Sequence, residues 1–184
     1  MRIITGQAKG VRLKAPKGLN TRPTSDRVKE SLFSILADRI YDRSILDLFA
    51  GTGNLGLEAL SRGALNAIFV EHDSNCIKII QENINNTKMQ EKSKIIRGDV
   101  YRIVDNLNKC SHAFDIIFAD PPYNKEHVNK LLNSLSVNIL KPDSLIIIEH
   151  SKNEAYNIPQ HIELIRKQQY GETIISIFRL TREE

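Results

Sequence analysis

The sequence has few cysteines and no long apolar segment. Cys76 and Cys110 are the two cysteines among 184 residues, and they do not form a Cys-x-x-Cys pair. Neither a disulfide framework nor a zinc site is therefore indicated. The five histidines show no metal-ligand spacing, so we expect no bound metal. No apolar run approaches the ~20 residues that cross a bilayer, and the amino terminus lacks the apolar region of a signal peptide. These absences predict a cytoplasmic protein without a membrane partner.

The basic residues are concentrated at the amino terminus. Residues 1–29 contain eight lysines and arginines and one acid, Asp26, which gives +7, so the other 155 residues sum to −3. Concentrated positive charge is typical of a segment that binds a polyanion such as nucleic acid. The overall content of 41% hydrophobic and 26% charged residues fits a globular protein. We interpret residues 1–20 as a basic arm and residues 21–184 as the main domain.

The arm and the first helix are predicted from local patterns. Two short strands, 2–5 and 11–14, flank a glycine-containing turn and predict a β-hairpin. Pro23 and the cluster 24–26 indicate the start of a helix. Apolar residues from Val28 to Ile40 then recur at helical spacing, so we expect this helix to end by residue 42.

From residue 44 the pattern alternates between strands and helices, which predicts a parallel sheet covered on both faces. Lys141-Pro142-Asp143 is interpreted as the end of the last helix. No helix separates the final two strands, so we expect them to form an antiparallel pair at the sheet edge. The predicted helices begin near residues 54, 74, 100 and 128. The predicted strands are 45–49, 67–70, 94–97, 115–119, 145–149, 162–169 and 174–180.

A glycine motif follows the first strand of this alternating region. Residues 51–56 fit G-x-G-x-x-G, and Glu71 ends the next strand twenty residues after Gly51. This context is that of a dinucleotide-binding site, so an NAD-dependent dehydrogenase is one hypothesis. Asp47, however, lies in the strand before the glycines, where a carboxylate would repel a pyrophosphate and attract an ammonium group. Asp99 follows the third strand.

Acids at three successive strands fit S-adenosylmethionine better than a dinucleotide. We expect Asp47 to serve the amino group of the cofactor, Glu71 the ribose and Asp99 the adenine. The alternative for Glu71 and Asp99 is that each caps a helix or interacts with its dipole.

A second motif, Asp120-Pro121-Pro122-Tyr123, ends the strand 115–119. Two prolines make the turn stiff and donate no backbone hydrogens. The carboxyl end of a parallel strand is where open α/β sheets bind ligands. An acid, a proline carbonyl and an aromatic face can together hold a planar amine. An ordinary strand-ending turn is the alternative.

These motifs carry a family resemblance. Residues 47–53 resemble the first motif of class I S-adenosylmethionine-dependent methyltransferases, and residues 120–123 resemble the D/N-P-P-Y/F motif of those that methylate amines. Residues 21–24, 27–33, 56–64 and 170–173 resemble signatures of the RsmD family. The resemblance covers nearly the whole chain. Asn54, where that family often has a small residue, and the short segment 14–20 depart from it.

The resemblance implies a Rossmann-like class I methyltransferase fold, whose seven-stranded, mostly parallel sheet has an antiparallel last strand. It implies a bacterial enzyme that transfers a methyl group from S-adenosylmethionine, without a metal, to the N2 amine of a guanine in 16S ribosomal RNA. We expect a monomer that acts on a small-subunit particle. The implied catalytic residues are Asp120, Pro121, Pro122 and Tyr123. The expected cofactor-binding residues are Asp47, Phe49, Gly51, Gly53, Glu71, Asp99 and Val100. The expected RNA-binding residues are Arg2, Arg12, Lys14, Arg22 and Arg27.

Three other functions remain as alternatives. A DNA adenine-N6 methyltransferase shares the Asp-Pro-Pro-Tyr chemistry but usually carries a target-recognition domain, for which 184 residues leave little room. A protein-glutamine methyltransferase would more typically have Asn at position 120 and has less use for a basic arm. A noncatalytic RNA-binding assembly factor could retain the fold without needing intact motifs.

Overall fold

A computed structural model describes residues 1–16, 26–110, 112–122 and 126–181. The predicted helix start at 23–25 and the proposed boundary between arm and domain lie outside these residues. Within the described ranges, no helix has the length and apolar character to cross a membrane. The helices are α1 Asp26–Leu36, α2 Asn54–Ser61, α3 Ser74–Thr87, α4 Val100–Lys109 and α5 His127–Ser134. The strands are β1 Ser44–Leu48, β2 Asn66–Glu71, β3 Ser93–Arg97, β4 Phe114–Ala119, β5 Leu140–Ser151, β6 Ile162–Tyr170 and β7 Thr173–Leu180.

The described strands form one seven-stranded sheet in the order β3-β2-β1-β4-β5-β7-β6. Strands β1 to β5 pair in parallel, and β7 runs antiparallel to both of its neighbours. This arrangement confirms the predicted fold class, including the antiparallel last strand. The predicted antiparallel pair at the sheet edge is β6 and β7.

The central strands are apolar because both faces of the sheet are covered. All five residues of β1 are buried. Alternate residues enter opposite cores: Ile45 and Phe118 belong to one apolar cluster, whereas Leu46 and Ile117 belong to the other. Parallel pairing then brings the carboxyl ends of β1, β2, β3 and β4 to one edge of the sheet.

The amino-terminal hairpin is shorter than predicted. Its described ladder is a single bridge between Arg2 and Arg12, and residues 5–10 form turns. The predicted strands 2–5 and 11–14 are therefore wrong in extent. The reason lies in helix α2, because the backbone N–H groups of Ile4 and Thr5 donate to the Glu58 carboxylate at 2.8 and 3.1 Å instead of to an opposing strand.

The interpretation of residues 141–143 as a helix end is also wrong. These residues lie inside β5, where Phe114 pairs with Leu140 but Ile116 pairs with Leu145. Strand β5 therefore has four residues, 141–144, opposite the single residue Asp115. A bulge of this kind accommodates a proline that a regular ladder would exclude.

Gly56 permits close packing of α2 against β2. A Cβ atom built on Gly56 would lie 2.4 Å from Phe69 Cε1 and 3.0 Å from Asp47 Oδ2. The third glycine of such a motif serves close helix–strand contact. Gly56 is thus a packing requirement of the sheet that carries the glycine loop.

We expect Gly56→Ala to lower the free energy of unfolding by about 1–3 kcal/mol, because overpacking of a close contact shifts side chains and backbone. Urea denaturation measures this change. Gly98→Ala is the matched control, since its Cβ would meet the flexible end of Ile103 at 3.2 Å. Equal stability of the Gly56→Ala variant and the unmodified protein would contradict the packing argument.

Candidate active site

The loop that follows β1 is held by two buried carboxylates. Gly51 and Gly53 have φ values of +56° and +75°, which favour glycine. The N–H of Gly51 donates to Glu71 Oε2 at 2.9 Å, and the N–H of Gly56 donates to Asp47 Oδ2 at 2.9 Å. The first hydrogen bond ties the loop to the end of β2, and the second ties the first turn of α2 to β1. The predicted glycine and acid residues are thus brought together.

Asp47 is almost completely buried, at 3% exposure. Burial raises the pKa of its carboxyl to about 7, with a further increase from Glu71, while the hydrogen bond from the Gly56 N–H lowers the pKa. A group in this state gains a proton near neutral pH and loses it when a positive charge approaches. The contact with Gly56 was missed at the sequence level, and direct contact of Asp47 with a ligand ammonium stays a prediction.

Glu71 organises the turn between β2 and α3. Its Oε1 accepts hydrogen bonds from the backbone N–H groups of His72 at 2.8 Å and Asp73 at 2.9 Å. Asp73 in turn caps α3 by accepting from the N–H groups of Asn75 and Cys76. Glu71 therefore fixes both loops at this edge of the sheet, and its contact with a ribose stays a prediction.

Asp120 is half-buried at the end of β4, and Pro121 beside it is buried. Burial raises the pKa of the Asp120 carboxyl well above its usual range, and repulsion from Glu149 and Asp47 raises it further. Asp120, Glu149 and Asp47 come from the three neighbouring strands β4, β5 and β1. Several carboxylates are thus crowded at one edge of the sheet. Tyr123 lies outside the described residues.

Asp99, predicted to serve the adenine, and Val100, predicted to bind the cofactor, lie at the start of α4. Asp99 is exposed, and its Oδ1 accepts from the N–H of Arg102 at 3.1 Å, so it caps this helix. Val100 is buried in one of the cores. Phe49 adopts a φ of +56°, which is uncommon for a non-glycine residue and accompanies functional sites. The roles of these three residues in cofactor binding stay predictions.

An aromatic cluster beside Phe49 was missed at the sequence level. Tyr101 stacks on His127 with ring centroids 6.0 Å apart, and the Tyr101 hydroxyl is hydrogen-bonded to His127 Nδ1. Phe49 contacts both rings edge-on. The pair joins the start of α4 to the start of α5, which follows the Asp-Pro-Pro-Tyr loop. Because the two residues are 26 apart in sequence, no local pattern indicated their contact.

A buried ion pair anchors the basic arm. Lys29 of α1 and Glu58 of α2 are both at 0% side-chain exposure, with Nζ 3.1 Å from Oε2. The Lys29 ammonium also donates to the Arg2 carbonyl at 2.6 Å and to Asn54 Oδ1 at 2.7 Å. Arg62 completes the network at 2.8 Å from Glu58 Oε1. Asn54, the departure from the family pattern, thus accepts a hydrogen bond from Lys29.

This network corrects the charge interpretation of the arm. Lys29 was counted among the eight basic groups, but it is buried and paired, so it cannot face a polyanion. Lys14 pairs with Glu82 at 2.7 Å. Arg2 lies 3.8 Å from Asp26, and Arg12 and Arg27 are exposed. Arg22 lies outside the described residues. The roles of these arginines and Lys14 in RNA binding stay predictions.

The arm also touches the glycine loop through Asn83 of α3. This fully buried side chain accepts from the Lys14 N–H at 2.7 Å and donates to the Lys14 carbonyl at 3.1 Å. It further donates to the Thr52 carbonyl at 2.9 Å. One amide therefore joins the predicted RNA-binding arm to the loop predicted to hold the cofactor.

Comparison with known proteins places the chain in a family. Residues 1–179 match the model of the family described as conserved hypothetical protein 95. The chain belongs to this family. It is 34% identical over 176 residues to ribosomal RNA small subunit methyltransferase D of Haemophilus influenzae, covering 93% of this chain and 89% of that protein. These matches confirm the resemblance to the RsmD family that the motifs indicated.

Solved structures show the same fold. The structure of yhhF from Escherichia coli, 33% identical, superposes with a TM-score of 0.84 over 98% of this chain and 97% of that one. The structure of SMU.776, which is complexed with SAH, reaches a TM-score of 0.70 over 84% of this chain and 48% of that one. At 16% identity, this second likeness concerns the fold alone.

Asp47→Asn should change how stability depends on pH in the cofactor-free protein. The folded-state pKa of Asp47 is about 7, raised from 3.8, so its ionisation destabilises the folded state progressively from about pH 4 to pH 7. We expect the variant to match the unmodified protein near pH 4 and to exceed its free energy of unfolding by about 4 kcal/mol at pH 8. Urea denaturation at several pH values measures the difference.

Asp105→Asn is the control for this experiment, because Asp105 is an exposed carboxylate on α4 paired with Lys109. We expect this variant to keep the pH profile of the unmodified protein. A stability difference between Asp47→Asn and the unmodified protein that stayed constant from pH 4 to pH 8 would show that Asp47 does not titrate as described.

Proposed function

We propose that this protein is an S-adenosylmethionine-dependent methyltransferase that modifies the exocyclic N2 amine of a guanine in 16S ribosomal RNA. The observation that carries the proposal is the crowding of Asp47, Glu71, Asp120 and Glu149 at the carboxyl edge of the sheet, beside the glycine loop. Membership of a family with a ribosomal RNA small subunit methyltransferase supports it. The choice of guanine N2 follows from the motif resemblance.

The carboxylates favour S-adenosylmethionine over a dinucleotide. S-adenosylmethionine carries a sulfonium and an ammonium group, and each would lower the electrostatic cost of ionised Asp47 and Asp120. NAD would instead bring a negatively charged pyrophosphate to a site whose carboxyl groups already repel one another. The SAH complex of SMU.776, a protein of the same fold, agrees with this choice.

Asp120 and Pro121 would position the target amine. The Asp120 carboxylate and the Pro121 carbonyl accept its two hydrogens, which orients the nitrogen lone pair toward the methyl group of the cofactor. S-adenosylmethionine, when bound, would supply the methyl group to this lone pair and would take up the displaced electron pair on its sulfur. The methylated nitrogen then loses its proton to solvent, so positioning and hydrogen bonding carry the catalysis.

To reach Asp120 and Pro121, the guanine would have to leave any base stack that it occupies in the RNA. Tyr123 would then stack on the base, a contact worth about 1–3 kcal/mol. Basic side chains would contact the RNA phosphates, so RNA binding should weaken as the salt concentration is raised. These side chains are Arg2, Arg12, Lys14, Arg22 and Arg27. We place this activity on a small-subunit particle in the cytoplasm, with the protein acting as a monomer and residues 1–20 serving as its RNA-binding arm.

The test is transfer of a labelled methyl group from S-adenosylmethionine to small ribosomal subunits that lack the modification, followed by nucleoside analysis. We expect the label in N2-methylguanosine. Label in N6-methyladenosine would keep the amine chemistry and overturn the substrate. Absence of label from ribosomal RNA, in a protein that still binds the cofactor, would overturn the proposed function.

Asp120→Ala should reduce turnover in this assay by about 100-fold or more, because it removes an acceptor aimed at the reacting amine. Cofactor affinity should change much less. Asp120→Asn keeps a carbonyl acceptor and should retain more activity than Asp120→Ala. Asp105→Ala, on the exposed face of α4, is the control. Near-normal turnover of the Asp120→Ala variant would contradict the mechanism.

A further inference from the structure

A cavity of about 310 Å³ lies at the edge of the sheet opposite the candidate active site. It is formed where β1, β4 and β5 begin and where β7 ends. Ile116, Pro142 and Leu145 supply its apolar lining. Its charged lining consists of Arg39, Arg43, Asp115, Asp143 and Arg179. The proposed methyl transfer uses none of these residues.

The bulge of β5 builds one wall of this cavity. Residues 141–144 stand opposite Asp115 alone, so this segment leaves the regular ladder. Asp143 at the bulge has a φ of +60°, an uncommon value for a non-glycine residue. Bulges next to a site redirect side chains, and backbone in this sparsely populated region accompanies functional sites. The distortion thus lies at the cavity wall.

The charges of the cavity leave a positive surplus. Asp115 is shared by two cations, Arg43 Nη1 at 3.1 Å and Lys141 Nζ at 2.7 Å. Its pKa is lowered because these groups and the Ser44 N–H stabilise the carboxylate, although burial opposes them. Arg179 pairs with Glu163 at 2.6 Å. Counting only the described residues in and beside the cavity, there are four cationic side chains and three carboxylates, which leaves one net positive charge. The cations are Arg39, Arg43, Lys141 and Arg179, and the carboxylates are Asp115, Asp143 and Glu163.

Three guanidinium groups from separate parts of the chain converge on this cavity. Arg39 belongs to the 3-10 turn Ala37–Ile40, Arg43 precedes β1, and Arg179 lies in β7. Within the described residues, Arg43 is ion-paired through Nη1 and Arg179 through Nε, while Arg39 forms no salt bridge. A guanidinium has five N–H donors in a planar fork that matches phosphate oxygens. The cavity thus offers guanidinium N–H donors beyond those used in these two ion pairs.

We infer that this cavity binds a phosphodiester group of the RNA substrate, as a second contact on the sheet edge opposite the candidate active site. A phosphodiester carries a single negative charge, which matches the net charge of the described lining residues. The volume falls at the lower end of the range for small-ligand sites, so it accommodates one nucleotide unit. The identity of the ligand as RNA rests on the proposed function. A free nucleotide offers the same phosphate chemistry and is the competing source.

The test is the salt dependence of binding between the full-length protein and a 16S ribosomal RNA fragment. Each phosphate contact that is removed should reduce the slope of log affinity against log salt by about 0.7–0.9. We expect Arg39→Ala to reduce the slope by this amount and to weaken binding at low salt. Arg166→Ala, an exposed arginine on the edge strand β6, is the matched control and should leave the slope unchanged.

Binding of S-adenosylmethionine verifies that the Arg39→Ala variant is folded, since Arg39 lies far from the carboxyl edge. An unchanged slope in this folded variant would overturn the inference. Tight binding of adenosine monophosphate that Arg39→Ala abolishes, together with an unchanged RNA slope, would assign the cavity to a free nucleotide and would also overturn it. A reduced slope in a protein that transfers no methyl group would support phosphate binding by the cavity and would contradict the proposed function.

Discussion

The candidate site depends on two hydrogen bonds from backbone N–H groups to buried carboxylates. Asp47 accepts from Gly56, and Glu71 accepts from Gly51, so a strand residue and a strand end hold the glycine loop from both sides. Burying a carboxylate is costly unless hydrogen bonds compensate for lost water. Here the compensation is partial, because burial still raises the pKa of Asp47 to about 7. Ionising Asp47 in the free site therefore costs free energy, and a cation bound nearby would lower that cost.

The basic arm and the glycine loop form one connected unit. The buried Lys29–Glu58 pair joins α1 to α2, and it holds the arm because Lys29 donates to the Arg2 carbonyl and Glu58 accepts from the arm backbone. Asn83 joins Lys14 to the carbonyl of Thr52. Removing one partner of a buried ion pair leaves the other charge buried and uncompensated, which strongly destabilises the folded state. The segment expected to bind RNA is thus connected through Asn83 to the loop expected to bind the cofactor, so the two ligands would bind to one connected unit.

Much of the fold was predictable because its signals are local. The apolar runs of β1 and β4, the glycine motif and the alternating helices all follow from short patterns, and they placed Asp47, Glu71 and Asp120 at neighbouring strands. The extent of the hairpin was not predictable, because Glu58, more than fifty residues away, takes the N–H groups of Ile4 and Thr5. The partner of Lys29 was hidden for a similar reason, because Glu58 lies in a different helix and no local pattern links the two residues. The bulge at 141–144 was hidden for another reason, since a proline usually ends an element and here stands inside a strand.

The most direct test of this account is calorimetric binding of S-adenosylmethionine as a function of pH. Asp47, with a pKa of about 7, should ionise when a cation binds near it, so affinity should rise roughly tenfold from pH 6 to pH 8 with release of a proton. Titration of NAD under the same conditions should give no binding. An affinity for S-adenosylmethionine that is independent of pH, without proton release, or comparable binding of NAD, would contradict the account.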